Sequence, residues 1–428
     1  MKKYNSKNLV FISLLITSLI MSIFSSCDGI VFHDIRKEVK LADAEIGGDI
    51  ANIIRYQLDG IEHIFVSNGT IHTRSVNADE NLGDVVIDSK ISWSDFSTPG
   101  DYVYSLAADS SNLYAASITI EKDDDGYNVA TSRAIYCYDS SEKSWTVIYS
   151  DTYSESVSLA LLCTNTPQPA NRKAYLRTAK TITVTSDGEE TSTTVPVVYE
   201  LNGTQTILDD EGAENISAKY LYKTTDSSTS TSYPVGELSD TAPTTTSEIS
   251  SSLLSASSCA SFGGTIYFSS SNSMITNETA DDEATLLYYS VGDNVYYKGT
   301  VTTTTTDNDG NPTSSEKDVD WTYVDLNCDT IYTMAVTANY LLAGTSDGIV
   351  HTPLTGGVPA AGTADFSTNA DSTLSSYYEV QYILVIDPSL EEYSATIYAT
   401  SETSSTSASL NNVGLWSYYA SEGEWNRE

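Results

Sequence analysis

The stretch 101-DYVYSLAADSSNLYAASITI-120 holds two short runs of apolar and small residues, separated by a polar Asp-Ser-Ser-Asn segment. Tyr, Val and Ile are frequent in β-strands, and Asp, Ser and Asn are frequent in turns. The stretch therefore predicts two strands joined by a tight polar turn. The same pattern continues in 382-YILVIDPSLEEYSATIYATS-401, and helix signals are nearly absent along the chain. We therefore expect an all-β protein.

This pair of predicted strands recurs elsewhere in the chain. Residues 103–117 align without a gap on residues 331–345. Independently, 134-AIYCYDSSEKSW-145 aligns on 414-GLWSYYASEGEW-425, with Tyr, Ser, Glu and Trp at matching places. Two later strands of the unit therefore repeat as well, which indicates a repeating β architecture.

One strand pattern, apolar or aromatic and then small or hydroxylated, can be placed six times. Its occurrences begin at Ile64, Leu113, Ala174, Ile266, Leu341 and Ile397. Four tryptophans recur where a fourth strand of each unit would begin, at Trp93, Trp145, Trp321 and Trp425. A four-strand unit that repeats with small residues on an inner strand is the sequence signature of a β-propeller.

The repeats predict a single β-propeller over residues 46–428, with about six four-stranded blades. The expected blades are 46–101, 102–152, 153–214, 252–328, 329–379 and 380–428. The Ser- and Thr-rich residues 215–251 predict a long exposed loop. If these residues contribute strands instead, the propeller has seven blades, and this alternative stays open. A strand from residues 30–48 is expected to complete the last blade.

The first 26 residues predict a secretory signal peptide. Three lysines precede an apolar run from Leu9 to Phe24, which is shorter than the ~20 apolar residues that span a bilayer. The run ends in 24-FSSC-27, which resembles the lipobox of bacterial lipoproteins, in the relaxed form of spirochaete and Bacteroidetes signals. The resemblance implies that Cys27 becomes a lipid-modified N-terminus. An uncleaved membrane anchor and a signal cleaved without lipid stay open.

The charge of the chain restricts its partners. Its 428 residues include 58 Asp and Glu against 21 Lys and Arg. A nucleic-acid binder neutralises phosphates with a basic surface, so we expect no nucleic-acid binding. The content of 40% hydrophobic residues, with 30 tyrosines, is too rich for a disordered chain. Such an acidic surface favours solubility and cationic partners.

Signal and repeats together resemble bacterial propeller lipoproteins of the envelope, related to WD40-like repeat propellers. The resemblance is one of pattern, since the sequence holds no run of WD dipeptides, no repeated kelch motif with its double glycine and no sialidase-type Asp box. Residues 27–45 are then a tether, or supply the blade-closing strand. The lipid anchor would be the protein's sole membrane contact, in the outer membrane of a diderm bacterium, on the surface or periplasmic side.

We therefore expect a monomeric, non-enzymatic scaffold that binds a protein or glycan through loops on its faces. Two alternatives stay open: an exported carbohydrate-active hydrolase or lyase, and an accessory subunit of an envelope assembly complex. The four histidines form no zinc-binding pattern, and no GxSxG, GxGxxG or Walker sequence occurs. The sequence therefore predicts no catalytic residue and no cofactor.

The weak metal candidates are acidic turns and one histidine pair. Asp123 and Asp125, and likewise Asp307 and Asp309, place oxygen ligands beside a glycine, as calcium sites do. Asx-Gly turns of β-hairpins have the same local sequence, and we favour turns. His63 and His72 flank one predicted hairpin, where exposed strand histidines are the favoured interpretation.

The cysteines and the tyrosines are the remaining candidates for a functional role. Cys137, Cys163, Cys259 and Cys328 lack metal-type spacing and are either buried thiols or members of one or two disulfides. The tyrosines clustered at residues 288–297 suit protein or glycan contacts, but their period-two spacing favours packing between strands.

Overall fold

The structure is a computed structural model that describes twelve segments of the chain. They are residues 46–79, 84–86, 93–153, 159–186, 189–207, 216–225, 232–306, 312–366, 378–389, 397–403, 413–419 and 424–428. The predicted signal peptide, Cys27, the tether 27–45, Asp307 and Asp309 lie outside the described residues. Within these segments there is no helix with the length and hydrophobicity needed to cross a bilayer.

The first half of the described chain forms two four-stranded antiparallel sheets and the start of a larger one. The first contains β1 (Asn52–Leu58), β2 (Ile61–Ser67), β3 (Ile71–Ser75) and, beyond the separate pair β4 (Asn77–Asp79) and β5 (Asp84–Val86), β6 (Ser94–Phe96). The second contains β7 (Tyr102–Ala108), β8 (Leu113–Lys122), β9 (Asn128–Asp139) and β10 (Ser144–Thr152). Strands follow chain order within both sheets, and apart from the step from β3 to β6 each connects to the next by a hairpin or short loop.

The third sheet has seven strands and is bent on itself. It contains β11 (Ala160–Cys163), β12 (Ala174–Ser186), β13 (Glu189–Glu200), β14 (Lys219–Thr225), β15 (Ser232–Ser239), β16 (Ser258–Phe262) and β17 (Thr265–Ser269). Its order is β11-β12-β13-β14-β15-β17-β16, and its two edge strands, β11 and β16, contact each other. The sheet is therefore a near-closed barrel, whose strands and 3-10 helix enclose Tyr175, Val198, Leu253 and Phe268.

Three more antiparallel sheets complete the described chain. The fourth sheet contains β18 (Met274–Thr276), β19 (Leu286–Val291), β20 (Asn294–Thr306) and β21 (Pro312–Asp325). The fifth contains β22 (Ile331–Val336), β23 (Tyr340–Thr345), β24 (Gly348–Thr355), β25 (Val358–Pro359) and β26 (Ala364–Asp365). The sixth contains β27 (Tyr378–Val385), β28 (Ile397–Thr403), β29 (Gly414–Tyr419) and β30 (Glu424–Arg427). Short 3-10 helices occupy Pro169–Asn171, Thr246–Glu248 and Ser251–Ser255. The all-β class is thus confirmed, and four of the described sheets have four strands.

The repeats found in the sequence fall on equivalent strands. The aligned segments 103–117 and 331–345 are the first and second strands of their sheets. In both first strands, and in β27, the register shifts by one residue near the start, between Val103 and Ser105 in the first case. This shared β-bulge bends each strand at the same place, so the units repeat in geometry as well as in sequence.

Two expectations about chain segments need adjustment. Residues 215–251, expected to be mainly an exposed loop, hold β14 and β15. The short apolar runs 220-YLY-222 and 233-YPV-235 explain the difference, because Tyr and Val favour strands and Leu221 and Val235 are buried. At the other end, the fourth strand of the last sheet is β30 itself, and Ile46 exchanges backbone hydrogen bonds with Leu415 and Glu428. Residues 30–45 lie outside the described part.

One edge strand of each larger sheet, and both edge strands of the third sheet, contact one another in succession. The succession runs from β1 to β7, β11, β16, β18, β22 and β27, and from β27 back to β1. We call these seven strands the first strands. The third sheet supplies two members, because both of its edge strands take part. The structure therefore brings one edge of every multi-stranded sheet around a common centre.

Candidate functional site

Side chains connect the first strands where they meet. The Asn52 side chain on β1 accepts a hydrogen bond from the Leu106 amide of β7 (3.1 Å) and donates to the Leu106 carbonyl (2.7 Å). Ser105 on β7 donates from Oγ to the Leu161 carbonyl of β11 (3.2 Å). An edge strand carries backbone groups without a strand partner, and these side chains satisfy them.

Hydrogen bonds between side chains and backbone groups also link the later sheets. The Met334 amide of β22 donates to Oγ of Ser273, just before β18 (3.0 Å), and the Ile383 amide of β27 donates to Oγ1 of Thr333 on β22 (3.3 Å). Between β27 and β1, Nη2 of Arg55 donates to the Val385 carbonyl. Polar side chains thus join five of the seven neighbouring pairs here without a strand-to-strand ladder.

A cavity of about 260 Å³ lies at the centre of these strands. All seven first strands contribute to its wall, and its lining includes Arg55, Cys163, Cys259, Met274, Glu278 and Tyr382. This volume is near the lower end for small-molecule sites, which span roughly 300–1,000 Å³. The cavity therefore has room for a small ligand only.

Residues 164–172, which we call the crossing segment, run from the end of β11 across to β1. Oδ1 of Asn165 accepts a hydrogen bond from the Arg55 amide (3.0 Å), and its Nδ2 donates to the Ile53 carbonyl (3.4 Å). At the far end of the segment, Arg172 donates to both carboxylate oxygens of Glu62 on β2 (2.5 and 3.0 Å). Arg172 is buried, with 1% of its side chain exposed, so this ion pair fixes the segment to the first sheet.

The crossing segment also reaches the residues that follow β18. Thr166 and Asn171 donate to the two carboxylate oxygens of Glu278, the latter at 2.7 Å. Gln168 donates from Nε2 to the Thr279 carbonyl (3.1 Å). The segment therefore spans from β1 and β2 to the loop after β18, beside the cavity that Asn165 and Thr166 help to line.

Arg55 is the basic group of the cavity wall. It is 6% exposed, and its Nε atom is buried with no hydrogen-bond partner among the described residues. Burial lowers its pKa to about 10, while the nearby Glu62 carboxylate raises it. At neutral pH the guanidinium stays protonated, since that pKa is still well above 7. No described carboxylate forms an ion pair with it, and Glu62 is engaged by Arg172.

Glu278 is the acidic group of the same wall. It is 6% exposed, and both of its oxygens accept hydrogen bonds from the crossing segment. Its partners Thr166 and Asn171 are neutral, and no ion pair to a cation is formed within the described chain. The cavity wall therefore holds one buried cation and one buried carboxylate, each held by neutral groups.

The four described cysteines are free thiols, which settles the alternative left open between thiols and disulfides. Cys163 and Cys259 line the cavity. Burial raises the pKa of Cys137 to about 12 and that of Cys163 to about 11, and it raises the pKa of Cys259 well above its usual value. These groups are therefore protonated at neutral pH, where a thiol is a poor nucleophile.

Asp123 and Asp125 form a hairpin turn. Oδ1 of Asp123 accepts hydrogen bonds from the amides of Asp125 (3.0 Å) and Tyr127 (2.8 Å), between β8 and β9. This is the Asx geometry that the sequence favoured over a calcium loop. Among the described residues there is no group of three or more His, Cys, Asp or Glu placed to hold a metal. Asp307 and Asp309 lie outside those residues.

The histidine pair does not converge. His63 lies opposite Ser75 and His72 lies opposite Val66 in the ladder of β2 and β3. Nδ1 of His63 contacts the Ile61 carbonyl (2.9 Å), and His72 lies 3.1 Å from the Asp95 carboxylate. The two histidines therefore serve separate local contacts.

The tyrosine cluster packs between strands, as its spacing indicated. Tyr288 and Tyr289 are fully buried, and Tyr289 stacks on Tyr296 with ring centroids 4.9 Å apart. The cavity residues Arg55 and Glu278, by contrast, were not identified from the sequence. Arg55 stands alone as a charge in the apolar run 53-IIRYQL-58, which was the available signal.

Comparison with known proteins gives no family. No protein-family description matches the chain, and no curated protein matches its sequence. Among solved structures the chain is similar to PorZ, an essential bacterial surface component of the type-IX secretion system of Porphyromonas gingivalis. That similarity has a TM-score of 0.20 and 11% identity, and it covers 88% of this chain and 41% of PorZ.

A second similarity is to MPT-4, a mannose phosphorylase from Leishmania mexicana. It has a TM-score of 0.22 and 9% identity, and it covers 88% of this chain and 84% of that one. The chain thus spans less than half of the PorZ structure. Similarities at these scores assign neither a fold, a family nor an activity to this chain.

Adjacent basic residues allow a matched test of the crossing segment. Arg172→Gln should lower the free energy of unfolding by about 3 kcal/mol, because it leaves Glu62 without its buried partner. Lys173→Gln should cost at most about 1 kcal/mol, because the Lys173–Glu200 pair is exposed (46% and 34%). Urea unfolding of both variants measures the difference, and equal losses would contradict the buried role of Arg172.

The thiols allow a test of burial and of pH dependence. At pH 8, iodoacetamide should leave Cys137 and Cys259 of the native protein unmodified and should modify both in urea, as read by peptide mass spectrometry. Their folded-state pKa values are raised, so their contribution to stability is complete below about pH 9. It is lost as the pH rises toward the raised values. Labelling of native Cys259 as fast as in urea would contradict its burial.

Proposed function

We propose that this protein is a lipid-anchored, non-enzymatic β-propeller scaffold of a bacterial envelope, which binds a protein or glycan through loops on its faces. The observation that carries the proposal is the closed succession of first strands around one central cavity. Propellers arrange four-stranded sheets radially in this manner, with their inner strands at a central channel.

The succession favours seven blades over six. The third sheet places two edge strands, β11 and β16, at the centre. Two blades joined through their outer strands would produce this arrangement, with β11, β12 and β13 in one and β16, β17, β15 and β14 in the other. The seventh blade then uses the strands found within residues 215–251.

A binding role follows from how such a ring holds its loops. The hydrogen bonds between first strands fix the sheets to one another, so the hairpin loops are held on a rigid frame. Loops on a rigid frame are where binding residues concentrate in proteins. The excess of acidic residues adds long-range attraction for a partner with a basic surface.

Site-specific photocrosslinking in cells tests this function. A photoreactive phenylalanine analogue at Tyr127, which is 71% exposed in the β8–β9 loop, should capture a discrete partner. The same analogue at Tyr288, which is fully buried, is the matched control and should capture none. The Cys27→Ser variant should leave the membrane fraction and lose the captured partner.

Several outcomes would contradict the proposal. Analogues placed in turn at Tyr127 and at other exposed loop residues that capture no partner would contradict a face-loop scaffold. Retention of Cys27→Ser in the membrane fraction would contradict lipid anchoring at that residue. Turnover of an envelope glycan by the purified protein would favour the carbohydrate-active alternative.

A further inference from the structure

Arg55 differs from the other buried arginines of the described chain. Arg74, Arg133 and Arg172 each form an ion pair with a carboxylate. Arg177 donates to the carbonyls of Leu254, in the 3-10 helix before β16, and of Ala256, which follows that helix, and it lies outside the cavity lining. Arg55 alone among these five lines the cavity, and its described side-chain contact is a single backbone carbonyl.

The electrostatics of Arg55 indicate a missing anion. A buried charge without a paired countercharge is costly, and proteins keep such charges mostly at sites that use them. Glu62 and Asp387 raise the pKa of Arg55 without forming an ion pair with it, and both oxygens of Glu62 accept hydrogen bonds from Arg172. The cavity beside Arg55 is the space from which an anion could reach the guanidinium.

The remaining lining restricts the kind of anion. Glu278 shares the cavity wall and would repel a multiply charged group such as a phosphate dianion. It can instead accept a hydrogen bond from a ligand hydroxyl. Ser261 and Thr276 also line the cavity, and a hydroxyl can donate a hydrogen bond to a ligand or accept one from it. A singly charged, hydroxylated ligand fits this set of groups.

We propose that the central cavity binds a small hydroxylated carboxylic acid, of about monosaccharide size, with its carboxylate on Arg55 and its hydroxyls toward Glu278, Ser261 and Thr276. The cavity volume of about 260 Å³ sets the size limit. The crossing segment, held to the Arg55 amide by Asn165, forms part of the wall beside the carboxylate position. This site does not include the face loops, so the ligand proposal and the scaffold function are tested independently of each other.

Calorimetric titration of the purified full chain tests the site with three probes. D-glucuronate is the carboxylate probe, D-glucose is its uncharged counterpart with the same ring, and inorganic phosphate is the multiply charged anion. We expect glucuronate to bind at least tenfold more tightly than glucose or phosphate. Equal affinities for glucuronate and glucose, or no binding of glucuronate, would overturn the proposal, and tighter phosphate binding would overturn the carboxylate class.

Two arginine variants assign the charged contact. Arg55→Gln should weaken glucuronate binding at least tenfold, whereas Arg177→Gln, which removes an equally buried arginine outside the cavity, should leave it unchanged. If Arg55→Gln does not fold, Arg55→Lys keeps the charge but not the planar donors, and it should weaken binding severalfold. Unchanged affinity in a folded Arg55 variant would overturn the assignment.

Discussion

The unpaired edge of each first strand is the constraint on which the structure depends. Each first strand has a ladder partner on one side only, so the backbone groups of its other edge need partners at the centre. Leaving such a buried group unsatisfied costs about 1–3 kcal/mol. Asn52, Ser273 and Thr333 supply these partners from the neighbouring sheet. Small polar side chains are therefore needed where a continuous apolar core would otherwise be expected.

This polar centre also explains why a cavity forms there and why charges border it. Side chains that bond the neighbouring backbone do not fill the space between opposite strands. Arg55 joins the ring through the Val385 carbonyl and also lines the cavity. The crossing segment, bound to Glu62 through Arg172 and to Glu278 through Thr166 and Asn171, then ties opposite sides of the same centre.

The sequence predicted those features that depend on local pattern. The alignment of residues 103–117 on residues 331–345 located first and second strands correctly, because strand periodicity and turn residues are local signals. Residues 215–251 were misread in part, since their Ser- and Thr-rich composition outweighed the short apolar runs that form β14 and β15. The meeting of Arg55 with Asn165, and of Thr166 with Glu278, joins segments far apart in the sequence. No local pattern encodes which distant strands will share a centre.

Amide hydrogen exchange of Leu106, Met334 and Ile383 tests the central claim most directly. Each of these amides donates to a side chain of the neighbouring sheet, at 3.1, 3.0 and 3.3 Å. The account predicts that they exchange as slowly as ladder amides of the same strands, because their side-chain partners are held in the ring. Exchange of all three at the rate of unprotected amides, with the ladders intact, would contradict a closed ring of first strands.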